Sequence, residues 1–150
     1  MTRYLIATFA LALATASALA DTATLKQSLA GDWRVQSCEQ NGRELRTTTK
    51  IAKLTITDDL LLIFDAANEK RELKYELLSG EKGWAIDLYA DYGPMRGQLI
   101  PSRVSVVDGK LTLLFPANGD ARTSRPDSIA SVGNPDWVVL HLVRPDTLNP

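Results

Sequence analysis

The chain carries one histidine, His141, and one cysteine, Cys38. These two counts bound its chemistry. A hydrolytic triad needs a nucleophile, an imidazole to take its proton and a carboxylate to orient that imidazole. His141 lies in the apolar run "DWVVLHLVR" (Asp136 to Arg144). The serines beside sharp turns are Ser79, before Gly80, and Ser102, after Pro101, and neither stands in a Gly-x-Ser-x-Gly elbow. No catalytic residue is assigned, and His141 reads first as a hydrogen-bonded strand residue. One His and one Cys do not make a zinc set. Asp58-Asp59 and the Asp87/Asp91 pair lack the spacing of a calcium loop. The glycine-rich signatures of nucleotide binding are absent, so no metal ligand and no cofactor is assigned. Cys38 has no cationic cluster near it in sequence to hold a thiolate, and reads as a small apolar strand residue. Being alone, it can form no internal disulfide.

The chain begins with a charged Met1-Thr2-Arg3. An apolar run from Tyr4 to Ala20 follows, ending in Ala18-Leu19-Ala20 before Asp21. That pattern predicts a signal peptide over residues 1–20, cleaved after Ala20. The expected mature chain, residues 21–150, is a single domain large enough for its own core. The expected location is periplasmic or secreted. Loss of Arg3 leaves 16 Lys+Arg against 18 Asp+Glu, a formal charge of −2. No basic stripe is present to track a phosphate backbone, so nucleic acid is not an expected partner. No second segment has the length and apolar character of a membrane span.

The elements that must position any site are short and extended. "TATLKQSL" (Thr22 to Leu29) predicts a short helix with Leu25 and Leu29 on one face. From Gly31 the period changes to two. Trp33, Val35, Ser37 and Glu39 should share one face of a strand, and Arg34, Gln36 and Cys38 the other. Asn41-Gly42 and Asp108-Gly109 are hairpin turns. "EKRELKYELL" (Glu69 to Leu78) holds good helix formers, yet Leu73, Tyr75 and Leu77 alternate, which predicts a strand. Pro101 points to an edge or a bulge. Residues 116–135, with three prolines, read as a long loop with a short extended piece near Ile129. The last strand is apolar almost throughout, which predicts burial on both faces. About eight short strands with turn signals every eight to twelve residues indicate an all-β, antiparallel barrel or sandwich.

Several segments resemble a bacterial lipocalin-like domain family of unknown function, best known from planctomycetes. "LAGDWRVQSCEQNGREL" (Leu29 to Leu45) is similar to its opening Gly-x-Trp strand and turn. "AIDL" (Ala85 to Leu88) with Gly97, "VVDGKLTLLF" (Val106 to Phe115), "RPDSI" (Arg125 to Ile129) and "WVVLHLVR" (Trp137 to Arg144) are similar to its later elements. Two segments depart from that pattern: "SRVSVV" (Ser102 to Val107) replaces a Gly-Ile-Tyr piece, and "LLF" stands where a cysteine is common. The resemblance implies a lipocalin-like β-barrel of about eight strands behind a short N-terminal helix, and carries over no binding residue. It also implies a barrel end closed by Gly31, Trp33 and an arginine, for which Arg144 is favoured over Arg125 because the last strand should lie beside the first.

A closed sheet of this size holds packed side chains or one small ligand. The strand phases turn Trp33, Val35, Leu54, Ile56, Tyr75, Leu77, Ile86, Leu88 and Leu113 inward. Ser37, Glu39, Tyr75 and His141 are the candidate groups to orient a ligand. The expected function is an exported binder of a small, largely apolar molecule. The alternative is an extracytoplasmic interaction or inhibitor module with a filled core, its protein partner unspecified.

Overall fold

The computed structural model describes residues 21–45, 51–80, 83–117 and 124–148. The expected signal peptide, its cleavage point, Lys50 at the head of one expected strand and residues 118–123 of the long loop lie outside these. A helix over residues 21–29 (α1) leads into nine strands. They are β1 (Gly31–Gln40), β2 (Arg43–Glu44), β3 (Ile51–Ile56), β4 (Leu60–Asp65), β5 (Lys70–Leu78), β6 (Ala85–Ala90), β7 (Leu99–Val107), β8 (Lys110–Pro116) and β9 (Trp137–Val143). Apart from β2, a two-residue strand hooked onto the end of β1, each strand pairs with the next in the chain, and β9 pairs back onto β1. The result is a closed, antiparallel, eight-stranded up-and-down barrel of lipocalin-like architecture. Closure removes the exposed edges that an open sheet would present.

The alternations in the sequence become the barrel's inside and outside. Leu73, Tyr75 and Leu77 of β5 are buried in the central core while Glu72, Lys74 and Glu76 face water. Burial of that inward row outweighs the helix propensity of the charged residues between. Asp108 and Gly109 both take positive φ, 50° and 71°, giving the hairpin twist that joins β7 to β8. Pro101 sits on β7 opposite Asp87, beyond the stretch of β7 that pairs with β8, so its missing N–H breaks no rung on that side.

In β1 the expected phase is corrected. A bulge falls between Val35 and Ser37, so that Val35 pairs with Leu142 and Ser37 with His141, one partner residue later for two residues of β1. The extra residue flips every side chain beyond it. Trp33 and Val35 point inward as expected, but past the bulge Cys38 joins the core and Ser37 and Glu39 turn outward.

The last strand is buried on both faces. Val138, Leu140 and Leu142 belong to the barrel core. Trp137 and Val139 form a second cluster outside it with Leu114 and Ile129. The segment after β8 covers that outer cluster, and contains no strand among its described residues. Two arginines pin it: Arg125 bonds the Asp87 carboxylate and the Ser102 carbonyl, and Arg103 donates to the Pro126 carbonyl.

Candidate functional site

One end of the barrel is shut. Trp33 is fully buried beneath α1, whose Leu25 and Leu29 cover the opening. The last carbonyls of a helix have no partner within it. Here Trp33 Nε1 donates to the Leu29 carbonyl at 2.7 Å, and Arg144 donates to those of Ala30 and Ser28 at 2.7 and 2.9 Å. The Arg144 guanidinium carbon also lies 3.8 Å from the Trp33 ring centroid. Gly31 has φ of 110°, and a Cβ there would come within 2.6 Å of Arg144 Nη1. The structure thus brings Gly31, Trp33 and Arg144 together. Arg125 is elsewhere, on the outer segment.

Toward the other end, among the described residues, lies a cavity of about 270 Å³ lined by Leu54, Leu61, Leu73, Leu88, Ile100, Leu113 and Leu140, with the half-buried Ile63, Tyr92 and Phe115. Leu54, Leu88 and Leu113 were legible as inward residues from strand phase. Arg71 was not singled out, although it continues the inward row Leu73, Tyr75, Leu77 at the mouth end of β5. Its guanidinium carbon sits 5.7 Å from the Tyr92 ring centroid.

The polar candidates fall in two other places. Tyr75 is inward but near the closed end, where its hydroxyl donates to the Thr57 carbonyl at 2.7 Å. Burial first, then Asp58 and Asp59, raise its pKa above the ordinary tyrosine value. Glu39 and His141 do meet, with Glu39 Oε1 3.2 Å from His141 Nε2, but on the outer wall. The Ser131 hydroxyl donates to Glu39 Oε2 at 3.3 Å and accepts from the Gly42 N–H at 2.9 Å. The carboxylate therefore stands between a serine and the histidine. Acyl transfer needs the imidazole between hydroxyl and carboxylate, so this group ties two loops together and does not assemble a nucleophile. Ser37, beside them on the outer wall, faces away from the cavity.

Cys38 is inside, 2% exposed. Burial, with Glu39 adding to it, pushes its thiol up to about 11, which is the reverse of nucleophile activation. Among the described residues no group of three or more His, Cys, Asp or Glu is placed to hold a metal ion, and no helix is long and apolar enough to cross a membrane. No protein-family model, no curated protein and no solved structure matches the chain.

Proposed function

We propose that the protein is an exported, lipocalin-like binder that takes a small, largely apolar molecule into the open end of its barrel. One observation carries this reading: an apolar cavity of about 270 Å³ at the barrel mouth, opposite the end that Trp33 closes. An apolar cavity of about 150 Å³ is enough to take up benzene, so this one has room for a larger body. Ligand sites generally combine an apolar wall with few polar groups, as here. Each methylene buried contributes about 0.8 kcal/mol, so affinity should climb with chain length until the cavity is full. The apolar run before Asp21 supports export, and the motif resemblance supports membership of the bacterial lipocalin-like family.

Native mass spectrometry of protein purified from its own host tests the reading. A co-purifying small molecule, released on denaturation, is the expected result. Protein of bare chain mass that also takes up no apolar probe would overturn it.

A further inference from the structure

Among the described residues the cavity wall is mostly apolar. Arg71 is the one charged residue among the described residues that line it. Its position follows from the strand: β5 alternates, and Arg71 occupies the inward phase two residues beyond Leu73. Arg71 is exposed, so its stem can cover the apolar rim while its charged head stays in water. The neighbouring charges are paired among themselves. Lys70 pairs with Glu72 at 2.6 Å on the outer phase, and Arg96 pairs with Asp91 at 3.2 Å. Among the described residues Arg71 has no carboxylate partner, and its contact is the Tyr92 ring. A ring face holds a guanidinium in place without using its N–H donors. Arg71 thus stands at the mouth with no carboxylate of the described residues on its fork.

We propose that the mouth cavity takes a small amphipathic acid, its apolar body among Leu61, Leu73, Leu88 and Leu113 and its carboxylate on the Arg71 fork. This rests on the binding function proposed above and narrows it to one chemical class. Planar guanidinium and carboxylate match in two parallel hydrogen bonds, which a lysine would not reproduce. The apolar body sets how tightly the ligand holds, and the charge sets which end faces water.

The test uses three probes of one chain length: octanoate, octanol and octylammonium, each titrated calorimetrically into the mature protein. Octanoate should bind about tenfold tighter than octanol, the lower end of what a charge-assisted hydrogen bond gives when its cation is partly solvated. Octylammonium should bind more weakly than octanol. In Arg71→Gln the octanoate preference should vanish, so that octanoate and octanol bind that variant equally. Arg71→Glu should reverse the order and favour octylammonium. Arg71 is exposed, so both variants are expected to melt with wild type. Octanol binding as tightly as octanoate, or an octanoate preference that survives in Arg71→Gln, would overturn the acid assignment and leave the cavity reading standing. No binding of any of the three to wild type would sink both.

Discussion

The Arg144 guanidinium carbon lies 3.8 Å from the Trp33 ring centroid, while its two terminal nitrogens donate to the carbonyls of Ser28 and Ala30. With Trp33 Nε1 on the Leu29 carbonyl, three successive carbonyls at the end of α1 receive side-chain donors. A short helix is marginal alone. These bonds, and a cation at its negative end, fasten it across the barrel. Trp33→Ala should cost about 3–5 kcal/mol, a large share of the roughly 5–15 kcal/mol that stabilises a domain. A double-mutant cycle with Arg144→Lys should show a coupling of about 0.5–2 kcal/mol. A coupling near zero would mean that the stacking contributes nothing.

Gly31→Ala probes the same end. A φ of 110° is strained for any L-residue, and the new Cβ would press on Arg144 Nη1. Arg144 can swing aside, but only by giving up its carbonyl bonds. Chemical denaturation should show a loss of about 1–3 kcal/mol, the scale of one strained backbone residue. A wild-type unfolding midpoint would contradict this.

The barrel was legible in the sequence because turn pairs and alternating strands announce themselves locally. Nothing in residue spacing places Arg144 on Trp33, and that contact was legible only as far as β9 was expected beside β1. The outward turn of Ser37 and Glu39 was not. A single extra residue between Val35 and Ser37 reverses the phase, and "RVQSCE" carries no glycine or proline to mark the bulge. The pairing of His141 with Glu39 depends on β9 meeting β1, a contact 102 residues apart. The covering of Trp137 and Val139 by the loop was hidden for the same reason. Arg71 had a usable signal, since it shares the period-two phase of Leu73, Tyr75 and Leu77.

Cys38 should be inert in the native state. Its thiol, pushed up to about 11, stays protonated at pH 8 and is buried. Reaction with an aromatic disulfide reagent should be slow in buffer and fast in denaturant. The same shift has a stability consequence. The unfolded thiol loses its proton near its ordinary value of 9.0 and the folded one near 11. The stabilising contribution is therefore complete below about pH 9 and lost as pH rises from there to about 11. Cys38→Ala should flatten that part of the stability profile. Rapid native labelling would place Cys38 at the surface.

Arg125 holds the outer segment by its bonds to Asp87 and Ser102. Both partners of the ion pair are largely buried, with side chains 24% and 13% exposed. Arg125→Ala strands the Asp87 carboxylate, and should cost about 1–3 kcal/mol, the scale for a buried group left unsatisfied. Replacing both residues together, as Arg125→Leu with Asp87→Leu, should cost less than the single change, because neither charge is then left alone. Limited proteolysis should cut Arg125→Ala within residues 117–135 faster than wild type. Equal cutting rates would show that the segment is held by other contacts.

Filling the barrel mouth is the most direct measurement of the binding function. Ile63 lines the cavity near the rim and is only half-buried, so Ile63→Trp places an indole in the space without repacking the deep core. Wild type should bind octanol with a negative heat-capacity change, the mark of apolar burial. Ile63→Trp should lose at least tenfold in affinity, with a melting temperature close to wild type. Outer-wall variants Glu39→Gln and His141→Phe should keep wild-type affinity. Unchanged octanol binding in a folded Ile63→Trp protein would contradict ligand binding in this cavity.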